Sequence, residues 1–256
     1  MAFASSMTPL IRAENLSKRF GHIEAVRGVT LEVSAGEVVG FLGPNGAGKT
    51  TTMRMITGFL EPTQGQVTLQ GFSLDASPIL AKRAFGYLPE GAPAYPDMSV
   101  LEYLQFIGQV RGFGGKALDE RIASVVSQVH LERVQHQTIE TLSKGFKRRV
   151  GIAQAILHDP PILIMDEPTD GLDPNQKHEV RQLIRSMGST KAIVLSTHIL
   201  EEVEAVCTRV ILIAAGKIVF DGRPQDFEAR APASVQRNRM DHVFRELTAA
   251  GAEVLS

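Results

Sequence analysis

The sequence is poor in cysteine: Cys207 is the only one. A single thiol excludes an internal disulfide framework and any metal site built from several cysteines. Excess positive charge is also lacking: 27 Lys and Arg stand against 28 Asp and Glu, for a formal net charge of -1. No overall basic field attracts the chain to nucleic acid or anionic lipid, so we expect no nucleic-acid partner.

Long apolar runs are missing as well. The longest stretch without a charged residue extends from Pro62 to Leu74, and it contains Gln, Thr, Ser, Gly and Pro. A membrane-spanning helix needs about 20 predominantly apolar residues, so we do not expect this chain to cross a bilayer. The first residues lack a basic segment followed by an apolar one, which argues against a secretory signal. These absences together favour a cytoplasmic protein.

The 256 residues are 43% hydrophobic, which is enough for a packed core. After a loose leader at 1–9, short runs of Val, Ile, Leu and Thr predict strands as far as 88. The segment 99–158 predicts a helical insertion, and from 161 onward strands alternate with helices, which is typical of a mostly parallel α/β sheet. The segment 223–256 predicts a partly helical tail. One apolar stripe within the insertion follows helical spacing and consists of Ile122, Val125, Val126 and Val129.

The segment from Gly43 to Thr50 fits the pattern G-x-x-x-x-G-K-[ST] and lies between an apolar strand and a helix. Glycines let backbone N–H groups turn toward phosphate oxygens, and the helix N-terminus adds partial positive charge. Lys49 would neutralise the β- and γ-phosphates, and Thr50 would offer its hydroxyl to Mg²⁺. A glycine-rich turn without a ligand is the alternative. The predicted nucleotide-contacting residues here are Gly43, Pro44, Asn45, Gly46, Ala47, Gly48, Lys49, Thr50 and Thr51.

Two adjacent carboxylates, Asp166 and Glu167, follow the apolar strand 162–165, at the end where open α/β sheets bind ligands. Neighbouring residues of a strand point to opposite faces, so we expect different tasks for the two. Asp166 is the candidate Mg²⁺ ligand, and Glu167 the candidate that orients or polarises the attacking water. His198 ends the next strand and is expected to reach the γ-phosphate. A charged turn and a structural histidine are the alternatives.

The motif Leu142-Ser143-Lys144-Gly145-Phe146 decides the family, because it lies between the phosphate loop and the acidic strand and opens a predicted helix. In this order, with His198 after them, the motifs resemble the ATP-binding subunit of an ABC transporter. The resemblance covers residues 10–222. It implies a P-loop NTPase fold of the ABC ATPase type, with a mostly parallel core sheet, an antiparallel β lobe and a helical insertion at about 99–158.

The resemblance also implies a dimer in which two copies pack head to tail around two ATP molecules with Mg²⁺. Each ATP would lie between the phosphate loop of one copy and the LSKGF motif of the other. Ser143, at a helix N-cap, and the Gly145 amide would donate hydrogen bonds to the γ-phosphate across the interface. Asp173 would lie at the dimer seam. Phe20 would stack on adenine, the alternative being an ordinary buried phenylalanine.

Two positions depart from the family pattern. Lys144 stands within LSKGF where the usual motif is LSGGQ, and it lies either near phosphate or in solvent. Glu90 stands where the family has a glutamine, beside the charges of Asp166 and Glu167. It could bind Mg²⁺, which would offset the repulsion, and report the nucleotide state to a membrane partner. Both changes resemble an exporter subgroup of the ABC-2, gliding-motility or multidrug kind.

The resemblance therefore implies an ATPase that closes on ATP, reopens after hydrolysis, and drives export through a permease on a separate chain. Work is available because ATP binds the closed state better than the open one. The protein would be held at the inner face of the membrane by that permease, with the groove beside residues 91–96 as the contact; a plain surface loop is the alternative there. A soluble ABC-type ATPase acting in the assembly of another complex is the alternative function. A DNA-bound ATPase would need a coiled-coil insertion or a basic surface, and neither is visible.

Overall fold

The computed structural model describes residues 8–91 and 95–253. The predicted leader at 1–9 lies outside these residues except for its last two positions. Ala92, Pro93 and Ala94, which belong to the segment expected to contact a permease, also lie outside the described residues.

The strands are β1 (Ile11–Phe20), β2 (Ile23–Val33), β3 (Val38–Leu42), β4 (Gln64–Leu69), β5 (Phe72–Ser73), β6 (Phe85–Leu88), β7 (Ile162–Asp166), β8 (Ala192–Thr197), β9 (Arg209–Ala214) and β10 (Lys217–Gly222). The helices are α1 (Lys49–Ile56), α2 (Pro78–Arg83), α3 (Val100–Val110), α4 (Gly115–Gln128), α5 (Lys144–Ile156), α6 (Pro174–Gly188), α7 (Leu200–Val206), α8 (Pro224–Glu228) and α9 (Arg239–Glu253). A 3₁₀ turn at Ile139–Thr141 precedes α5.

The strands form two sheets. The core sheet has the order β10-β9-β3-β8-β7-β6, in which five neighbouring strands are parallel and β10 pairs antiparallel with β9 at the edge. The second sheet has the order β2-β1-β4-β5 and is antiparallel throughout. The predicted mostly parallel core and antiparallel lobe are confirmed. The carboxyl ends of β3, β7 and β8 share one edge of the core sheet, where the candidate site lies.

The core strands are buried on both faces, as their continuous apolar runs predict. On β7, Leu163 and Met165 join a cluster that includes the helical segment and α6, whereas Ile162 and Ile164 join the cluster of the antiparallel sheet. This alternation follows from the two-residue period of a strand. In the helical segment, the predicted stripe is buried, with three of its members on α4 and the fourth just after it.

Several strand segments are missed by the sequence pattern. The second half of β1 and the first half of β2 are half exposed and interrupted by register shifts, which removes a clean alternation. The edge strand β10 follows β9 through Ala215 and Gly216, both with positive φ, as a tight hairpin requires. In these segments local turn geometry, more than hydrophobic periodicity, determines where the strands form.

The segment after Gly222 packs on the core sheet. Phe227, Met240 and Val243 are buried in one cluster with Leu42 and Phe220. The ring of Phe227 contacts that of Phe220, with centroids 4.9 Å apart. The predicted tail therefore includes two packed helices, α8 and α9, and contributes to the core behind the phosphate loop.

Candidate nucleotide-binding and hydrolysis site

The phosphate loop connects β3 to α1 and approaches neighbouring backbone at two glycines. A Cβ on Gly43 would lie 2.4 Å from the carbonyl oxygen of Ile213, and one on Gly48 would lie 2.7 Å from that of Ala25. Gly48 also has a φ of 107°, which disfavours any side chain. The loop thus keeps a tight backbone path that ends at the N-terminus of α1, an arrangement suited to phosphate.

Lys49 is buried, and its ammonium lies inside the curve of the loop. Its Nζ donates hydrogen bonds to the carbonyl oxygens of Gly43, at 2.7 Å, and Pro44, at 3.1 Å. Burial lowers the pKa of Lys49, and the negative charges of Glu167, Asp166 and Glu90 oppose that effect. The three predicted carboxylates therefore all act on the one lysine that would meet the phosphates.

Asp166 is the last residue of β7, and Glu167 follows it with a positive φ of 48°. Asp166 is buried and accepts a hydrogen bond from the hydroxyl of Ser196. The different directions of the two carboxylates were predicted from strand alternation, but Glu167 lies outside the strand. The left-handed backbone at Glu167, rather than the pleat of β7, therefore sets the direction of its side chain.

His198 contacts Glu167 directly. Its Nδ1 lies 3.0 Å from the Oε1 of Glu167, across the ends of β8 and β7. A histidine there can hold the Glu167 side chain in one orientation and exchange a proton with it. A carboxylate held in this way at the edge of the site could polarise a water molecule.

The donor set fits Mg²⁺ bound together with a nucleotide. Thr50, Asp166 and Glu90 offer only oxygen ligands, which hard divalent cations prefer. Among residues 8–91 and 95–253, no three His, Cys, Asp or Glu side chains form a group that could hold a metal alone. Mg²⁺ commonly uses one or two carboxylates and completes its shell with phosphates and water. When bound, it would polarise the phosphate oxygens.

Phe20 ends β1 with an exposed ring. Its exposed fraction is 48%, so it is not the buried core residue of the alternative reading. Lys18 Nζ lies 5.5 Å from its ring centroid. The ring is therefore accessible to a planar group such as adenine.

The LSKGF motif and Asp173 form a second surface. Ser143 caps α5, where its hydroxyl accepts from the Phe146 amide at 3.3 Å. A Cβ on Gly145 would lie 2.4 Å from the side-chain oxygen of Gln176, so α5 and α6 meet closely there. Asp173 caps α6 and accepts from the Gln176 amide at 3.0 Å. Among the described residues, no side-chain hydrogen bond of Ser143 or Asp173 goes to the phosphate loop.

Arg148 is a residue beside the site that the sequence pattern did not single out. It is buried, and its guanidinium donates to the carbonyl oxygens of Pro168 at 3.1 Å, of Pro89 at 3.2 Å, and of Asp166 and Glu167. It thus joins α5 to the loop of Glu90 and to the acidic strand end. Its spacing of three residues from Gly145 is the signal that could have placed it on the buried face of α5.

A protein-family model described as ABC transporter matches residues 26–170. The chain belongs to the ABC transporter family. It is 38% identical over 226 residues to an uncharacterized ABC transporter ATP-binding protein, YxlF, of Bacillus subtilis strain 168, covering 88% of this chain and 75% of that protein. It is 37% identical over 221 residues to the Nod factor export ATP-binding protein I of Cupriavidus metallidurans, covering 86% of this chain and 73% of that one.

Solved structures agree with this assignment. An ATP-binding subunit of an ABC transporter superposes with a TM-score of 0.84 and 30% identity, covering 93% of this chain and 99% of the other. The dimeric cassette MJ0796 in a post-hydrolysis state with ADP and Pi gives a TM-score of 0.77 and 25% identity, covering 84% and 98%. This ABC protein is an ATPase that uses ATP and Mg²⁺. No helix in the described part of the chain is both long and apolar enough to cross a membrane.

Proposed function

We propose that two copies of this ABC subunit close on two ATP molecules and, by hydrolysing them, power export through a permease on a separate chain. The Glu167–His198 pair beside Lys49 and Asp166 carries the proposal, because it supplies a water-polarising carboxylate next to a phosphate loop. Export is supported by relatives such as the Nod factor export proteins. The protein would lie at the cytoplasmic face of the membrane, held there by the permease.

In this proposal Glu167 orients and polarises the attacking water, and His198 holds Glu167 in place. Lys49 and the backbone from Gly43 to Thr51 bind the phosphates, while Phe20 stacks on adenine. Thr50, Asp166 and Glu90 contribute oxygen ligands to Mg²⁺. The position of Glu90 beside Pro89, whose carbonyl accepts from Arg148, supports a link between the metal and the rest of the subunit.

Dimerisation is supported by the separation of the two surfaces. Gly145 lies against Gln176 of α6, and among the described residues no hydrogen bond of Ser143 goes to the phosphate loop, so their amide and hydroxyl groups suit a phosphate held by another copy. Asp173 lies at the start of α6 on the same surface. A head-to-tail pair would complete each ATP site, as the dimeric structures of related cassettes suggest.

A groove between the lobes suits the permease, although Gly91, Tyr95 and Pro96, the described residues of the segment expected to form the contact, do not line it. It has a volume of about 620 Å³ and is lined by residues of α2, β6 and α3, together with Phe59. The side chains of Phe59 and Val110 are 72% and 69% exposed, and Lys82 and Arg83 add positive charge at the rim. A partner segment with an apolar face and acidic residues would match this lining.

Substitution of Glu167 by glutamine tests the proposal. The amide keeps the shape of the side chain but accepts a proton poorly, so hydrolysis should fall at least about 100-fold while ATP binding persists. We expect Glu167→Gln to form a stable ATP-dependent dimer, measured by size-exclusion chromatography with light scattering.

The matched control is Lys49→Ala, which should weaken nucleotide binding itself and give no dimer at the same ATP concentration. A Glu167→Gln protein that hydrolyses ATP at the normal rate, or that stays monomeric with ATP bound, would contradict the proposed mechanism.

A further inference from the structure

Ser196 is a buried hydroxyl at the centre of the site, on the strand next to the acidic strand end. It lies in β8, is 0% exposed, and pairs in register with Asp166 of β7. Its Oγ donates to an oxygen of the Asp166 carboxylate, and the same Oγ accepts from the Glu167 amide at 3.2 Å. The Glu167 amide also lies 3.1 Å from the Ser196 carbonyl oxygen.

No other side chain in the described ranges makes this pair of hydrogen bonds to Asp166 and Glu167. Among those residues, the Ser196 hydroxyl is the one hydrogen-bond donor to the Asp166 carboxylate. The strand residues before Ser196 are apolar, and a buried hydroxyl costs free energy unless it is hydrogen-bonded. Its two partners are an ionisable oxygen and the amide of a residue in left-handed conformation, so the hydroxyl connects the two residues that carry the chemistry.

We propose that Ser196 is a positioning residue that presets the site for metal and water. Its hydroxyl holds the Asp166 carboxylate in one rotamer and fixes the left-handed turn that presents Glu167. The inference rests on the proposed role of Asp166 as a Mg²⁺ ligand. Ser196 would act through Asp166 and Glu167 and not by contact with nucleotide or metal.

Loss of this hydroxyl should affect the metal indirectly, because the hydroxyl binds Asp166, the proposed metal ligand. Partners that orient a metal ligand typically change metal affinity by about 10- to 100-fold when they are removed. In Ser196→Ala, the carboxylate can rotate, and the Glu167 amide keeps only the backbone acceptor. Metal affinity should fall, whereas binding of nucleotide without metal should not.

The test measures Mn²⁺ affinity by electron paramagnetic resonance, on the full chain with a non-hydrolysable ATP analogue. We expect Ser196→Ala to weaken Mn²⁺ binding about 10-fold. Ser196→Thr, which keeps the hydroxyl, should restore most of it. Affinity for the analogue in EDTA should stay within twofold of the wild type in both variants.

Thr197→Val is the matched control, since it removes the neighbouring β8 hydroxyl, which bonds to Glu202 at 2.6 Å rather than to the site. Its Mn²⁺ affinity should match the wild type even if its thermal stability falls. A Ser196→Ala protein with wild-type Mn²⁺ affinity overturns the inference. If that variant does not fold, Ser196→Cys keeps the side-chain size with a weaker donor, and unchanged Mn²⁺ affinity there overturns it equally.

Asp166→Asn separates this inference from the proposed function. If Asp166→Asn also leaves Mn²⁺ affinity unchanged, the proposed metal site is wrong. If Asp166→Asn weakens Mn²⁺ binding and Ser196→Ala does not, only the positioning role of Ser196 fails.

Discussion

The backbone conformation of Glu167 sets the direction of its own side chain in the site. Its φ of 48° lies in the left-handed region, which costs a residue with a side chain about 1 kcal/mol. Both of its backbone polar groups are bound: the amide donates to Ser196, and the carbonyl accepts from Arg148. These contacts stabilise the turn from which the Glu167 carboxylate reaches His198.

Which residues support this turn could not be read from the sequence. The pattern predicts the phosphate loop, Asp166, Glu167 and His198, because each has a distinctive type and follows a strand. Ser196 and Arg148 carry no such mark, since their roles depend on strand register and on which carbonyls lie within reach. A serine in an apolar strand and an arginine in a basic run are common in protein sequences and do not by themselves indicate such a role.

His158 gives a residue-scale prediction about acid stability. Its Nε2 lies 3.1 Å from the Phe85 carbonyl oxygen, and burial together with the charge of Arg111 lowers its pKa from 6.5 to about 4. The neutral form is therefore favoured in the folded state, and this stability is present above pH 6.5 and lost as the pH falls toward 4. We expect the wild type to lose more stability than His158→Gln between pH 7 and pH 5.

Urea unfolding at both pH values measures this difference. His136→Gln removes an exposed histidine and should keep the wild-type dependence on pH. If the free energies of unfolding of the wild type and His158→Gln change in parallel, His158 does not contribute to acid lability.

At the scale of elements, the contact between β6 and α5 sets the position of the LSKGF helix. A Cβ on Gly86 would lie 1.9 Å from the carbonyl oxygen of Ala155, so the helix backbone lies directly on the strand. Gln154 of the same helix donates to the Tyr87 carbonyl at 2.6 Å. The strand that leads to Glu90 and the helix that begins at Ser143 therefore form one unit.

Gly86→Ala should disrupt this contact. The added methyl group would overlap the Ala155 backbone, which cannot move without shifting the helix, and would also press on the Leu163 side chain, so we expect a loss of more than about 2 kcal/mol in the free energy of unfolding. Gly114→Ala is the control, because its φ of -159° suits any residue and nothing lies within 4 Å of its Cβ. It should cost less than about 1 kcal/mol. Equal losses in the two variants would refute the close contact.

The sequence predicts strands and helices well where one hydrophobic pattern dominates. The fully apolar strands and the α4 stripe are such cases, since burial on both faces or on one helical face leaves a clear period. It fails for β10 and for the hairpin of β1 and β2, where exposed residues and turn geometry decide. It also fails to show that α8 and α9 pack on the core, because Phe227 and Met240 are isolated apolar residues in a polar segment.

The whole molecule has three surfaces to which the proposed function assigns partners. The phosphate loop with Asp166 and Glu167 is one, and the LSKGF motif with Asp173 is the second. The third is the groove beneath Phe59 and Val110. In the proposed function a second copy completes each ATP site, and because neither the phosphate loop nor the LSKGF motif lines the groove, a membrane partner would bind the closed dimer without blocking that site.

Val110→Asp tests the groove. The residue is 69% exposed at the end of α3, so a charge there should leave folding and the ATPase rate of the isolated protein unchanged. It should abolish sedimentation with membranes of expressing cells, because the apolar lining would lose its match to the permease. Ala123→Asp, on the exposed side of α4 and outside the groove, should sediment like the wild type. Undiminished sedimentation of Val110→Asp would place the permease contact elsewhere, and a wild type that never sediments would favour a soluble assembly ATPase.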